Sequence, residues 1–483
     1  MCRSYWSTAT RFSDYPGWDT CSASTGWRRL VHTTLVEAEP ALPDLPLPQA
    51  ATSAVLATAG TNAVLAVIAL ATGVLAARLL GPGGRGHLAA AQAIGTLVGA
   101  IGALALGESL VFFVGRRTRP PLVVLRTATL VATGSTVALI GVAWVMMPTL
   151  LAGQPKAVSA ARAFAFIGLP FVLVGFPITL IRALQRYWLW NGLRLLAPLS
   201  WLAALVFFTL TRNRAVTPLV IAFVGLQLLF IPLVWWLVQR KDKRRDGIDF
   251  KLVKPMLRYG APLFLATLPQ ALNLRFDQLL IANVESARQL GLYAVSVSWA
   301  GLGLPLMAAI GSVLFPKLAG MDPGDARDTL ARSARAGAII AIAIGIASAF
   351  SAPLLVPLLF GKSFAVPLLL PIVLAAATSL LGLNGIIEEG LRGLGEPRSV
   401  LIAELAGLAV TAGMLFTLVP TVGISGAALA SLGGYGVVTA TLAWRIRVRN
   451  HVRVSDLLVP RRTDLQGMIA RARAVAGRRG RSA

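Results

Sequence analysis

Apolar residues in this chain gather into long blocks separated by short polar breaks, from about residue 52 to about residue 445. A block of about 20 such residues crosses a bilayer core of ~30 Å as one helix. The pattern predicts twelve spans: 52–77, 88–115, 122–147, 158–181, 192–211, 216–238, 257–282, 289–315, 334–352, 365–391, 399–419 and 423–444. Several contain Gly or Pro, as at Gly260–Pro262, Pro269, Pro305 and Pro371. Membrane helices tolerate these because neighbouring groups satisfy the freed backbone. The expected fold class is all-α, a polytopic membrane protein of about twelve transmembrane helices.

Composition sharpens this. Of 483 residues, 56% are hydrophobic and 13% are charged, against roughly 25% charged in a soluble domain. Mean hydropathy is +0.72. Most soluble enzyme folds are excluded on these grounds.

The formal net charge of +25 would suggest nucleic acid in a soluble protein. Here the cations sit between apolar blocks and at the chain ends, which makes them topological signals. Loops after even-numbered spans carry Arg116, Arg117 and Arg119, then Arg182, Arg186 and Arg194. The loop after span 6 adds Arg240, Lys241, Lys243, Arg244, Arg245, Lys251, Lys254 and Arg258. Lys317, Arg327, Arg332, Arg335, Arg392 and Arg398 bring the total to twenty. Loops after odd-numbered spans hold eight: Arg78, Arg85, Lys156, Arg162, Arg212, Arg214, Arg288 and Lys362. The positive-inside rule then places both termini in the cytoplasm of a cell inner membrane. Eleven arginines between Arg445 and Arg481 form a tail expected to adhere to anionic lipid rather than to nucleic acid.

Residues 1–50 read differently. They mix Trp6, Trp18 and Trp27 with polar residues and end in the proline-rich stretch Pro40–Pro48. They lack the pattern of a signal peptide and are expected to form a disordered cytoplasmic extension. Both cysteines, Cys2 and Cys21, fall here, so the membrane body carries no thiol chemistry.

The chain also repeats itself. Gly86 in GRGHLAAAQ matches Gly291 in QLGLYAVSV, Gly153 in TLLAGQ matches Gly361 in PLLFGK, and Arg182 in IRALQR matches Arg392 in LRGLGEPR. The offsets are 205, 208 and 210 residues. Three matches in order at near-constant offset predict two pseudo-symmetric six-helix lobes. The division expected is an N-lobe at 51–239, a basic cytoplasmic linker at 240–256, a C-lobe at 257–445 and an Arg-rich cytoplasmic tail at 446–483. Paired repeats with a site between them are a common transporter plan.

Local sequence now carries a family resemblance. ARLLGPGGRGHLAAAQAIGTLVGAIGALALGES (77–109) resembles the start of the bacterial polysaccharide flippases, the O-antigen and teichoic-acid exporters; His87 stands where an aromatic residue is usual. LRYGAPLFLATLPQALNLRFDQLLIANVESARQLGLYAVS (257–296), VLFPKLA (313–319) and PLLFGKSFAVPLLLPIVLAAATSLLGLNGIIEEGLRGLGEPR (357–398) continue it in order. The resemblance covers about residues 52–445. It implies membership of the multidrug/oligosaccharidyl-lipid/polysaccharide exporter superfamily, with two lobes alternating access around a central cavity. The implied cargo is an oligosaccharide on a polyprenyl pyrophosphate, moved from inner to outer leaflet, and a polysaccharide polymerase or ligase is the implied protein partner.

An anionic head with sugars calls for cations, amides and hydroxyls inside the spans. Gln270, Asn273 and Asp277 in span 7 follow i, i+3, i+7 spacing and share a helical stripe. Asp277 is the candidate for proton or cation coupling; the alternative is a structural interhelical ion pair. Arg275, two residues away, is expected on nearly the opposite face. Span 1 offers Asn62, with Thr58 and Thr61 as packing hydroxyls; Asn384 is a further amide, with Gln92 and Gln227 weaker. Arg126 and Arg182 are candidates for pyrophosphate at the inner end and Arg78 at the outer end, or else they anchor helix ends by snorkelling. Glu388 and Arg392 form an i, i+4 pair, and Glu108, Glu389 and Glu404 are expected in interfacial salt bridges. His32, His87 and His451 are isolated, and no catalytic, metal or cofactor motif is present. GPGGRG (81–86) lacks a preceding strand and reads as a turn. The expected activity is therefore transport rather than catalysis. The alternatives are a Na⁺- or H⁺-coupled multidrug exporter, a lipid II flippase, or a membrane glycosyltransferase or polymerase. The last is disfavoured by short odd-numbered loops.

Overall fold

The apolar blocks become helices throughout the computed structural model, which describes residues 48–117, 119–240, 247–319, 321–450 and 452–459. The expectations for Cys2, Cys21, His32, His451, most of the extension 1–50, the linker cations at 241–246 and the tail arginines from Arg461 onward lie outside them. Residues Ala54–Ala483 make up one compact unit, distinct from Met1–Ser53, and the membrane body belongs to it. Among the described residues every regular element is a helix.

Ten stretches are long and apolar enough to cross a membrane, and the first of them, Gly60–Gly115, contains spans 1 and 2 together. Span 7 is not among the ten, because Gln270, Asn273, Arg275 and Asp277 dilute it. With that span counted, twelve crossings result. The loops after odd-numbered spans define a lightly charged face, and those after even-numbered spans a basic face.

Several spans are broken. Helix Pro48–Gly102 departs from helical geometry only at Gly81 (φ 66°, ψ 179°), followed by Pro82. The expected turn GPGGRG thus shrinks to one residue. Gly81 takes a left-handed φ without a Cβ penalty, and Pro82 restarts the helix at a position where its missing N–H costs nothing. Span 2 breaks again at Leu104 (φ 50°) and Ala105 (φ 51°) before resuming as Leu106–Gly115. Span 7 is Val253–Asn273 followed by Phe276–Val284. Span 8 is Ala287–Ala300 followed by Leu304–Ala319. Span 3 is a single helix, Pro121–Leu150, and span 9 is Pro323–Phe360, much longer than its apolar block.

The largest core lies toward the lightly charged face and draws on both sequence halves. Leu88, Ala90 and Leu219 pack in one cluster with Ile281, Leu290, Tyr293 and Leu415. A second core toward the basic face joins Leu106, Leu110 and Val124 to Leu252 and Met256 at the start of span 7. Ser109 Oγ donates to the Met256 carbonyl at 3.0 Å, and Phe112 stacks on Tyr259 with centroids 4.0 Å apart. Span 7 thereby leans on span 2. Outward-facing Leu210, Leu229, Phe350 and Leu354 are more than 70% exposed, as helices facing lipid require.

Candidate functional site

Polar side chains within the spans collect in three places. The first is in the N-terminal half, toward the basic face. Span 5 opens with the helix Tyr187–Arg194, YWLWNGLR, which brings Asn191 and Arg194 onto one turn. Arg194 donates to Asn62 Oδ1 at 3.0 Å and to Asn191 Oδ1 at 3.4 Å. Asn191 in turn donates to Thr58 Oγ1 at 3.1 Å. The Arg194 guanidinium lies 4.5 Å from the Trp190 ring centroid. Arg182 is within electrostatic reach of Arg194 and pairs with Glu108 at 3.5 Å. Two half-exposed guanidiniums, two amides and an indole face therefore meet on spans 1, 4 and 5. That set suits an anionic head with sugars attached.

The second place is inside the C-terminal half. Glu388 of span 10 and Glu404 of span 11 are 1% and 3% exposed, and their carboxyl groups face each other at hydrogen-bond range. Gln270 Nε2 donates to Glu388 Oε2 at 3.2 Å, and Arg392 reaches the same oxygen at 3.5 Å. Arg392 also pairs with Glu389. Asn273 lies within hydrogen-bond range of Glu404, so both glutamates and the amide form one buried cluster. Two buried carboxyls approach this closely only around a proton or a cation. Among the described residues no three His, Cys, Asp or Glu side chains converge. The chemistry on offer here is that of a carboxyl pair and an amide. Asn384 flanks it, donating to the Tyr435 carbonyl at 3.0 Å and accepting from Thr439 at 2.7 Å.

The third place is higher in span 7. Asp277 is buried and accepts from Tyr293 Oη and from the Gln278 backbone N–H, both at 2.6 Å. The helical wheel puts Arg275 on the opposite face, but the helix breaks at Leu274–Arg275, so that argument does not apply. Arg275 flanks the second helix (φ −131°) and feels the Asp277 charge. Arg85, from the start of span 2, lies within electrostatic reach of Arg275.

The structure thus brings Asn62 and Arg182 together, and separately Gln270, Asn273 and Asn384. Arg275 and Asp277 form their own group. Arg126 sits in the first turns of span 3, half-buried and already engaged. Arg78 joins none of these groups; it binds main-chain carbonyls at the lightly charged face. Glu388 and Glu404, expected in interfacial ion pairs, are buried in the lobe, although the Glu388–Arg392 pair forms. Arg194, Asn191 and Arg85 escape a reading of the sequence, which counts the two arginines as loop cations. The signal that could find Arg194 is its i, i+3 spacing from Asn191 beside two tryptophans.

A family model described as "Polysaccharide biosynthesis protein" matches residues 74–367. No curated protein matches the chain. Among solved structures, a lipid II flippase MurJ in an inward closed conformation superposes with a TM-score of 0.69 at 14% identity, over 82% of this chain and 89% of that one. An inward-facing multidrug resistance MATE family transporter of the MOP superfamily gives 0.65 at 15% identity, over 83% and 98%. The MATE multidrug transporter DinF-BH gives 0.58 at 16% identity, over 86% and 99%. At such identities the likeness fixes the fold.

Proposed function

The chain belongs to the polysaccharide biosynthesis protein family of the MOP exporter superfamily, and on that premise we propose that it flips a polyprenyl-pyrophosphate-linked oligosaccharide from the inner to the outer leaflet by alternating access. In this reading the basic face is cytoplasmic. The observation that carries it is the group around Arg194. Paired guanidiniums supply charge for pyrophosphate, while Asn62, Asn191 and the Trp190 face supply sugar partners. Arg194 is already held by two amide oxygens, so its fork is positioned before cargo arrives and less ordering is required on binding.

For energy coupling, the geometry favours the Glu388–Glu404 pair over Asp277. Asp277 has its hydrogen bonds satisfied by Tyr293 and Gln278, whereas the two glutamates face each other beside Asn273 and so compete for one proton or cation. Exchange of one proton or monovalent cation at this pair, on a helix contact with span 7, gives the gradient a place to act.

The test is the sidedness of lipid-linked glycan in a strain lacking the protein, read with an impermeant probe. Accumulation on the cytoplasmic face with loss of surface glycan is expected, and Arg194→Gln should lower complementation about tenfold at unchanged abundance. The carboxyl pair also suits a cation-coupled exporter of small cationic molecules. Normal lipid pools with new sensitivity to cationic drugs would select that reading instead.

A further inference from the structure

We infer that Arg78 and Asn283 are twin latches that hold the lightly charged face shut, each capping the end of a helix from the opposite half of the chain. Arg78, at the end of span 1, donates from Nε to the Leu359 carbonyl at 2.6 Å and from Nη2 to the Leu358 carbonyl at 2.8 Å. Asn283, at the end of span 7, donates from Nδ2 to the Thr149 carbonyl at 2.7 Å and to the Leu150 carbonyl at 3.4 Å. All four acceptors lie in the last turns of spans 9 and 3, where carbonyls have no intrahelical donor.

The two contacts are one contact repeated. Arg78 and Asn283 are 283 − 78 = 205 residues apart, and Thr149 and Leu358 are 358 − 149 = 209 apart. These match the offsets of the internal repeat. The glycines that revealed the repeat take part as well. A Cβ on Gly86 would collide with the Ala287 carbonyl, and a Cβ on Gly291 with the Pro82 carbonyl. The second collision is the first shifted by 205 residues at both ends. Each half therefore grips the other by the same two devices: a side chain on a helix end, and a backbone-to-backbone approach that only glycine permits.

Removal of either latch has a defined consequence. The helix end it caps loses its donor, and the charge on Arg78 no longer meets the negative end of span 9. The charge-assisted hydrogen bonds of Arg78 and the paired amide bonds of Asn283 each shift a two-state equilibrium about tenfold. Opening of this face should then become visible without any cargo present.

The test is a distance measurement on purified full-length protein in lipid nanodiscs, with Cys2 and Cys21 replaced by Ser. Spin labels at Arg214→Cys and Ser363→Cys, both exposed on the lightly charged face, report its width by pulsed electron resonance. The parent should give one short distance. Arg78→Ala and Asn283→Ala should each add a longer population, enriched about tenfold over the parent, and the double variant should make it dominant. Gly86→Ala, which wedges the halves apart but leaves both latch side chains in place, should produce the same longer distance. Size-exclusion elution checks folding of each variant. Unchanged distances in every folded variant would overturn the latch. The inference rests on the alternating-access reading only for which face is outer. The distances carry no information on cargo, so failure of the latch and failure of the flippase assignment are distinguishable.

Discussion

Asp277 and Glu388 show how differently two buried carboxyls can be used. Asp277 has a hydroxyl on one oxygen and a backbone N–H on the other, so it ties span 7 to span 8. Asp277→Asn keeps a partner for Tyr293 and should leave transport close to normal. Asp277→Ala strands a buried hydroxyl and should lower stability by about 1–3 kcal/mol, read as a drop in thermal midpoint in detergent. Glu388→Gln and Glu404→Gln end the sharing of a proton between two acids. Under the proposed coupling, transport should fall about tenfold or more in each, with abundance unchanged. Residue types at the site are legible in part. The span 7 stripe leads to Gln270 and Asn273, because period 3.6 holds there. It misleads at Arg275, because no periodicity signals where a helix stops. Glu388 and Glu404 are visible as membrane carboxylates, but their meeting depends on how spans 10 and 11 pack, which no local pattern displays.

At the level of elements, number and order are readable because bilayer thickness sets a length the chain must meet. Breaks are not, since tertiary contacts impose them. Leu104 and Ala105 are the clearest case: neither residue favours a left-handed backbone, which costs roughly 1–2 kcal/mol each in L-residues. Ala105→Gly should relieve this and raise stability by about 0.5–1 kcal/mol, measurable as a higher thermal midpoint. The linker offers a pH test. Asp249 accepts from Arg119 at 3.0 Å and from the Lys251 backbone N–H at 3.0 Å. The Arg119 hydrogen bond, ahead of the Lys251 one, holds its carboxyl below the ordinary value of 3.8. A depressed carboxyl stabilises fully above its ordinary value and loses the effect only as pH falls through the lower, folded one. Hydrogen exchange at the Lys251 amide should therefore stay protected down through the ordinary carboxyl value of 3.8 and become unprotected at all pH values in Asp249→Ala, which removes the acceptor.

For the whole molecule, the internal repeat is the most informative feature of the sequence. Gly86 and Gly291 match as counterparts, and each proves to press against the other half at the position the other predicts. The assignment of the basic face to the cytoplasm and the lightly charged face to the outside rests on the count of Lys and Arg in the loops. It can be checked with an impermeant thiol reagent on intact cells: a cysteine at Ser363 should be labelled and one at Arg186 should not.

Span 2 touches the other half of the chain near both faces. Its first half meets Ala287 and its second half meets Met256, with the Leu104–Ala105 joint between them. One helix thus contributes to the closure of both faces, with the Leu104–Ala105 break between its two contacts. The consequence concerns leakage. A passage open at both ends would short-circuit the ion gradient of the cell, and one helix shared between two closures makes simultaneous opening the costliest of the arrangements. Variants that loosen both contacts at once should therefore be toxic through lost membrane potential before any deficit in surface glycan is felt.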